Sequence, residues 1–308
     1  LRNARSHISS EVAQRETDRK ENAREILNRA GIAVSPGQYF SSPDQFDRAS
    51  TMLSGNGPLV VKPVDGRVGI GVTVGVTDLE GLRFAWKRAF DDAEAGILIE
   101  EQFFGQEVRV LIVRGRTIAV ALRIPPRIVG DGTSTIRDLI NAKNARRHQD
   151  LALQSRPIEL TPTRLRRLAE QGLGPLSVLP AGETYVIDVI GNVKVGAEPA
   201  DVTDTIHPSY KRIAERAAAC FPGMHEVGVD IYAENLEAPA EPGNHVVMEL
   251  NGNPDIALHI SAVFGKTYDV ARMIVDSALK GRGNTSTSRR SRRSSKTRRA
   301  TETTTSEE

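Results

Sequence analysis

Three oxygen-bearing side chains near the end of the foldable chain could hold a divalent cation. In the apolar run 246–251, the strand period of two places Glu249 and Asn251 on one face. Asp230 lies in a second apolar run, 227–232, which predicts a neighbouring strand. Carboxylate and amide oxygens are hard ligands that suit Mg²⁺ rather than zinc or copper. The pattern predicts a magnesium site on a sheet surface, an arrangement typical of nucleoside triphosphate chemistry.

A glycine-rich segment upstream could bind the phosphates. Gly66, Gly69 and Gly71 stand between two β-like runs, and glycine lets backbone N–H groups approach phosphate oxygens without obstruction by a Cβ. The segment lacks the ending of a P-loop and does not open a helix, so neither a P-loop nor a dinucleotide-binding fold is indicated. Lys62 in the preceding strand could meet a phosphate as a point charge. A glycine hairpin turn and a snorkelling edge-strand lysine are the alternatives.

The elements that must position these residues can be predicted from hydrophobic spacing. Helical spacing occurs at 20–30, 44–53, 78–90, 135–147, 161–172, 208–220 and 267–280. Besides the two metal-bearing runs, strands are predicted at 59–63, 71–74, 97–100, 108–113 and 117–122. Strand pairs joined by short turns favour antiparallel sheets with helices on one face. The predicted class is α+β rather than doubly wound α/β.

Composition limits the class of protein further. The 308 residues include a single cysteine, Cys220, which excludes a disulfide framework and a cysteine-rich zinc site and is predicted to be a buried small hydrophobe. There is no apolar stretch of about 18 residues and no signal-peptide pattern, so we expect no membrane contact and a cytoplasmic location. A first residue of Leu1 predicts a fragment or a misplaced start.

Charge is unevenly distributed along the chain. Residues 281–308 hold eight Lys or Arg and three Glu, so the overall charge of +2 leaves −3 for residues 1–280. This Ser/Arg-rich tail has too few apolar residues to offset its ordering entropy and is predicted to be disordered. It is either a solubilising tail or a weak binder of an anionic partner. Residues 1–15 are predicted to be frayed.

Taken together, the motifs resemble the ATP-grasp carboxylate–amine ligases. The order and spacing are similar across about residues 18–275, and the ATP-grasp part of cyanophycin synthetase and of the glutathione and dipeptide ligases is the most similar. The motifs that carry the resemblance are 60–63, the glycine loop, 98–107, 123–132 with Thr135-Ile136, 201–204 with His207-Pro208, Asp230, and 249–251.

The resemblance implies an ATP-grasp fold, in which two α+β lobes with antiparallel sheets grip ATP between them. A small lobe with its preceding helices would span 16–103, and a large lobe with the metal site would span 104–280. Since only about twenty residues precede Lys20, the N-terminal substrate lobe usual in this superfamily is expected to be absent or truncated. By this resemblance, the tail is expected to stand where the cyanophycin type carries a second ligase domain.

The resemblance also implies roles for individual residues. Lys20 and Lys62 would contact the nucleotide phosphates with the glycine loop. Glu100 and the backbone of Glu101, Gln102 and Phe103 would read adenine, and Glu107 would hold the ribose hydroxyls. Asp230, Glu249 and Asn251 would bind two Mg²⁺ ions, with Mn²⁺ able to substitute. Arg109 and Arg123 would face the reaction centre.

Other roles for these residues stay open. Glu249 and Asn251 could lie on an exposed strand face, Glu107 could be an ordinary loop acid, and Arg109 and Arg123 could pair with acids on the sheet. His207 and His259 are expected to be structural or surface residues.

One loop departs from the cyanophycin type. Where relatives carry a cation and a Ser-Thr-Gly-Gly loop, this chain reads Asp188 followed by 189–197. The loop keeps Asn192 and Gly196, and Lys194 could supply the missing cation as a catalytic residue. The departure predicts a different substrate or an impaired loop.

The resemblance implies an ATP-dependent ligase that forms an amide between a carboxylate and an amine of amino acids or peptides. The reaction would pass through an acyl phosphate and release ADP and phosphate. An ATP-binding module without independent turnover, dependent on a partner or a missing lobe, is the main alternative. A phosphoryl-transfer enzyme that stops at the phosphorylated product is another. The sequence leaves a homo-oligomer open.

Overall fold

The computed structural model describes residues 9–55, 57–66, 69–150, 153–189 and 191–280. The predicted basic tail and the first eight residues of the predicted frayed segment lie outside these ranges. Within them, the helices are α1 (Glu11–Asp18), α2 (Lys20–Arg29), α3 (Phe46–Ser50), α4 (Leu79–Asp91), α5 (Ile136–His148), α6 (Pro162–Glu170), α7 (Pro208–Ala219), α8 (Ala257–Ile260) and α9 (270–280). The strands are β1 (Gly37–Phe40), β2 (Leu59–Pro63), β3 (Thr73–Val76), β4 (Ile97–Glu101), β5 (Gln106–Val113), β6 (Arg116–Ile124), β7 (Arg127–Val129), β8 (Thr184–Val186), β9 (Glu198–Asp201), β10 (Glu226–Ala233) and β11 (His245–Asn251).

Four antiparallel strands form the smaller sheet, in the order β1-β4-β2-β3. Helix α4 covers one face and begins where the Asp78 side chain accepts a hydrogen bond from a backbone N–H of its first turn. Val61 and Ile99 are buried in one cluster with Trp86 of α4. Because side chains alternate along a strand, Lys62 and Glu100 lie on the opposite face.

Five antiparallel strands form the larger sheet, in the order β11-β10-β5-β6-β9. Val108 and Val110 of β5 are buried with residues of α7 on one face. Arg109 alternates with them and lies on the other face. Asp230 of β10 is the register partner of Arg109 on β5 and of Glu249 on β11. The sheet therefore places a row of charged side chains across three strands, on the face away from α7.

Helices α1 and α2 pack against β11 of the larger sheet. Ala13 of α1 and Leu27 of α2 are buried in the same cluster as the α7 face. The Ser10 hydroxyl accepts a hydrogen bond from the Ala13 N–H, so the chain is helical from Glu11, where the sequence predicted fraying. The sequence grouped the preceding helices with a small lobe at 16–103. In the structure, the buried residues of α1 and α2 lie in the core of the larger sheet.

A third, two-stranded sheet pairs β7 with β8. Ile128 of β7 and Tyr185 of β8 are buried in one cluster with Ile136 of α5 and Leu168 of α6. The chain leaving β8 runs through a short 3-10 turn, Val193–Val195, before β9. The loop that differs from the cyanophycin type therefore connects this unit to β9, at the edge of the larger sheet.

Three predicted elements differ in the structure. The helix expected over 44–53 is divided into α3 and two flanking 3-10 turns, Pro43–Gln45 and Thr51–Ser54. The strand expected over 71–74 begins at Thr73, because Gly69 and Gly71 adopt positive φ angles of 79° and 71°, which end the extended backbone. Helix α9 begins three residues later than predicted.

The predicted α+β class is confirmed, since every strand pair in the three sheets is antiparallel and helices cover faces of the two larger ones. Across the described ranges, no helix has both the length and the apolar character needed to cross a bilayer.

Candidate functional site

A cleft of about 900 Å³ lies between the smaller, four-stranded sheet and the larger, five-stranded sheet. It is lined by residues from α1, α2, β2, the glycine loop, β5, β6, β10 and β11. Lys20, Lys62 and Gly66 line this cleft, as do Arg109 and Glu249. The structure therefore brings the predicted phosphate-binding and metal-binding residues into one cavity.

Lys20, the first residue of α2, reaches the glycine loop. Its ammonium donates to the carbonyl oxygen of Gly66 at 2.6 Å and lies 3.5 Å from that of Pro63. Burial lowers the pKa of Lys20, and the nearby Glu249 carboxylate opposes that shift. The contact places a cation beside the loop predicted to bind phosphates.

The glycine loop itself is only partly described, since Arg67 and Val68 fall outside the described ranges. A Cβ on Gly71 would lie 2.7 Å from the Pro63 side chain, so the loop has no room for a larger residue there. Gly66 and Gly69 line the cleft. The close approach of the loop to Pro63 explains the need for glycine without requiring a ligand.

Lys62 and Glu100 form a buried ion pair on the cleft face of the smaller sheet. The Lys62 ammonium lies 2.5 Å from Glu100 Oε1, and its other contact is the Met248 sulfur at 3.5 Å. The two side chains are 11% and 4% exposed. Glu100 therefore supplies the counter-charge that lets a lysine be buried before any phosphate is present.

The predicted adenine hinge follows Glu100 at the end of β4. The backbone N–H groups of Glu101 and Gln102 donate to the carbonyl oxygens of Pro36 and Pro58, each at 2.8 Å. Phe103 N–H has no hydrogen-bond partner among the residues that the structure describes. Of the three backbone N–H groups predicted to read adenine, that of Phe103 is the one available to a base.

Two arginines and two acids form a buried network on the floor of the cleft. Arg109 donates through Nε and Nη2 to the two carboxylate oxygens of Asp230, each at 2.6 Å. Arg123 lies 3.2 Å from Asp230 Oδ2 and also pairs with Glu107. The Tyr232 hydroxyl donates to Glu107 Oε2 at 2.9 Å. The structure therefore shows Arg109 and Arg123 paired with acids of the sheet, which was the alternative to a role at the reaction centre.

Strand register accounts for this network and for its electrostatics. Burial alone would raise the pKa of Asp230, but the Arg109 and Arg123 guanidinium groups outweigh it and hold that pKa below its usual value. Burial raises the pKa of Glu107 despite Arg123. Both Glu107 oxygens already accept hydrogen bonds, so a ribose hydroxyl would have to share or replace one of these partners.

The predicted metal ligands are not equivalent in the structure. The Glu249 carboxylate has no hydrogen-bond or ion-pair partner among the described residues. Asn251 donates its Nδ2 to Asp230 Oδ2 at 3.3 Å, which leaves its Oδ1 available. No group of three or more His, Cys, Asp or Glu side chains in the described ranges is arranged to hold a metal. Glu249 and Asn251 fit Mg²⁺ as oxygen donors, whereas Asp230 is already occupied by guanidinium groups.

Lys194 lines the cleft and belongs to the loop that differs from the cyanophycin type. Its backbone N–H donates to Asn192 Oδ1 at 2.9 Å, and its exposed ammonium has no partner in the described part of the chain. Asp188 is paired with Arg164 at 3.0 Å and Arg167 at 3.6 Å on α6. Asp188 therefore ties α6 to this loop.

Two contributors to this region were missed in the sequence. Gln14 of α1 is 8% exposed and lines the cleft beside Asn251 and Gly252. Ser10 followed by Glu11 is a helix-start signal that could have revealed α1. His259 of α8 is buried, its Nε2 has no partner in the described ranges, and burial lowers its pKa to about 3. No spacing in the sequence indicated that this histidine lies near the arginine network.

The fold and the cleft define an ATP-grasp architecture. The structure superposes on a bifunctional glutathione synthetase from Pasteurella multocida with a TM-score of 0.63, at 26% identity, over 89% of this chain and 38% of that one. It also matches a D-alanine–D-alanine ligase from Bacillus anthracis with a TM-score of 0.50, at 16% identity, over 90% of this chain and 72% of that one. The predicted ATP-grasp fold is confirmed.

Relatives found by sequence agree with the fold. A cyanophycin synthetase from Synechocystis sp. is 33% identical over 83% of this chain and 30% of its own length. A glutathione biosynthesis bifunctional protein from Clostridium perfringens is 30% identical over 82% of this chain and 33% of its own length. A search against models of protein families finds no match. The homologues of this chain are ATP-grasp ligases, and the chain spans about a third of the length of the curated relatives it matches.

Proposed function

We propose that this protein is a Mg²⁺- and ATP-dependent ligase that joins a carboxylate to an amine of amino acids or peptides. The observation that carries the proposal is the cleft itself. Lys20, Lys62 and the glycines Gly66 and Gly69 line it together with Glu249 and Asn251. This distribution matches the needs of a nucleoside triphosphate, whose phosphates require both cations and a metal ion.

The groups proposed to bind ATP lie in the cleft and in the predicted hinge at the end of β4. The ammonium groups of Lys20 and Lys62 would bind the phosphates, and the Phe103 N–H would bind the adenine edge. Glu249 and the Asn251 amide oxygen would hold Mg²⁺. When bound, the metal supplies positive charge that stabilises negative charge developing on phosphoryl oxygens.

The proposed chemistry is two successive transfers. A substrate carboxylate oxygen attacks the γ-phosphorus, the bond to the β–γ bridging oxygen breaks, and an acyl phosphate and ADP result. The amine nitrogen then attacks the acyl carbon, its proton is lost, and phosphate leaves. Lys20, Lys62 and Arg109 would stabilise the charge on the transferred group, since preorganised cations act strongly in a site shielded from water. No protein nucleophile is required.

A second candidate is an ATP-binding module without independent turnover. Its support is that the chain spans about a third of the length of its curated relatives. In that case the carboxylate or amine site would be completed by a partner or by another segment. An anionic partner of residues 281–308 and a homo-oligomer are further proposals that rest on sequence alone.

A release assay distinguishes the two candidates. Full-length protein with Mg²⁺ and ATP is supplied with pools of amino acids and short acidic peptides, and both ADP and phosphate are measured. The ligase predicts release that requires a carboxylate and an amine together and that Glu249→Gln abolishes. Asp18→Asn, which removes an exposed acid of the same cleft, is the matched control and should retain release.

Other outcomes of this assay are equally informative. Nucleotide binding without release in any pool would support the module. ADP release that needs a carboxylate but no amine would indicate an enzyme that stops at the phosphorylated product. Absence of both binding and release would overturn the proposed function.

A further inference from the structure

Asp230 accepts more hydrogen bonds than a carboxylate that also binds a metal can readily accommodate. Arg109 donates twice at 2.6 Å, Arg123 approaches its two oxygens at 3.4 and 3.2 Å, and Asn251 donates at 3.3 Å. A carboxylate has about four acceptor positions. The side chain is 6% exposed, so water does not reach it to any extent.

The Arg109–Asp230 pair is built into the sheet. The two residues are register partners on adjacent antiparallel strands, so their side chains leave the same face side by side. The planar guanidinium meets the planar carboxylate through two parallel hydrogen bonds, the strongest arrangement for this pair. Removing Asp230 would leave the buried Arg109 guanidinium without its ion-pair partner.

The pairing leaves Arg109 with donors to spare. Its Nη1 makes no hydrogen bond within the described ranges, and the residue lines the cleft although it is 6% exposed. Asp230 thus occupies the Nε and Nη2 side of the guanidinium and leaves the Nη1 side for a ligand. Arg123 is held in a comparable way between Asp230 and Glu107.

We propose that Asp230 is a positioning residue for Arg109 and Arg123, and that the divalent cation of the site is held by Glu249 and Asn251 without it. This inference rests on the proposed function. It departs from the ligand set expected from the sequence, in which all three side chains bind the metal. The structural reason is that Asp230 is hydrogen-bonded to the arginine beside it on β5. Glu249 makes no hydrogen bond or ion pair within the described ranges, although its charge acts on Lys20.

The proposal is tested by Mn²⁺ binding to the full-length chain, measured by electron paramagnetic resonance of the free ion. Glu249→Gln should weaken Mn²⁺ binding about tenfold or more, because it removes a charged ligand. The double substitution Arg109→Met with Asp230→Leu should leave Mn²⁺ affinity within about threefold of wild type, because a buried ion pair can be replaced by apolar side chains. Asp18→Asn controls for the loss of a distant negative charge in the cleft.

A second readout separates positioning from structural support. If the protein turns over, Asp230→Asn should lower kcat about tenfold or more while the Mn²⁺ concentration for half-activation stays unchanged. The double variant avoids the folding risk of this single one, since it leaves no uncompensated charge between the two residues.

Two results would overturn the inference. One is a double variant that loses as much Mn²⁺ affinity as Glu249→Gln, which would make Asp230 a ligand. The other is a Glu249→Gln variant with wild-type Mn²⁺ affinity. A wild-type protein that binds neither Mn²⁺ nor ATP would instead overturn both the proposed function and the inference. If the wild-type protein binds ATP and either of the two results above is found, only the inference is overturned.

Discussion

The ammonium of Lys62 and the carboxylate of Glu100 are joined across neighbouring strands of the smaller sheet, 2.5 Å apart. Strand register pairs Val60 with Glu100, so Lys62 lies diagonally opposite Glu100 on the same face. A lysine positioned for a phosphate is thereby compensated by an acid at the start of the adenine hinge. A nucleotide that binds Lys62 would share it with Glu100, which couples the phosphate end of the site to the base end.

We expect Lys62→Met to lower the free energy of unfolding by about 3–5 kcal/mol, because Glu100 would remain buried without a counter-charge. Lys62→Met combined with Glu100→Leu should regain most of this stability, since it removes both charges. Urea unfolding measures the difference. The exposed pair Lys87–Asp91 is the control, and Lys87→Ala should cost less than about 1 kcal/mol. A double variant as unstable as the single one would contradict the pairing argument.

Lys20→Ala should weaken ATP binding about tenfold with little effect on the fold. Within the described ranges its ammonium donates hydrogen bonds to the backbone carbonyl oxygens of Gly66 and Pro63 alone. Isothermal titration with ATP measures the change. Arg19→Ala, an adjacent exposed cation, is the matched control and should bind ATP normally. Unchanged affinity in Lys20→Ala would place the phosphates elsewhere in the cleft.

Gly252→Ala should destabilise the protein by about 1–3 kcal/mol and move α1 from the cleft, because the added Cβ would overpack this contact. That Cβ would lie 2.9 Å from Met224 Cε, 3.0 Å from Gln14 Cγ and 3.0 Å from Thr17 Oγ1. Thermal unfolding and proteolysis near the N-terminus report the two effects. Gly174→Ala meets no atom within 4 Å and should change neither. Full resistance to proteolysis in Gly252→Ala would show that α1 tolerates the displacement.

His259 should make stability depend on pH. Burial lowers its pKa from 6.5 to about 3, so below pH 6.5 the unfolded chain binds a proton that the folded protein does not. The free energy of unfolding should therefore decrease as the pH falls from 6.5 toward 3, by up to about 1.4 kcal/mol per pH unit.

His259→Leu removes this contribution and should flatten the pH dependence in that interval, as followed by urea unfolding at a series of pH values. The exposed His148 provides the control, and His148→Gln should keep the wild-type slope. An unchanged slope in His259→Leu would assign the effect to other groups.

Lys194→Ala should raise the KM for ATP or for the carboxylate substrate about tenfold, because its ammonium faces the cleft without a protein partner among the described residues. The free energy of unfolding should stay within about 0.5 kcal/mol of wild type, as is usual for an exposed residue. Steady-state kinetics with denaturant unfolding of the same variant test both statements. A drop in stability without a kinetic effect would make Lys194 structural.

Local patterns determined much of this protein. The apolar runs 227–232 and 246–251 predict two strands, and Glu249 and Asn251 had to share a face because side chains alternate along a strand. Helical spacing and start signals located α2, α4, α5, α6 and α7 to within about three residues, because capping and periodicity act over a few neighbours. Motif order also indicated the ATP-grasp fold.

Only the tertiary structure decided which charged groups are compensated. Arg109 and Asp230 are separated by 121 residues and become partners through the register of β5 with β10. No local pattern encodes that register, because it depends on the packing of the whole sheet. The same holds for the Lys62–Glu100 pair, for the position of α1 beside Asn251, and for the link from Asp188 to α6. The sequence named residue types suited to a nucleotide and a metal, whereas long-range packing determined which of their atoms remain available to bind them.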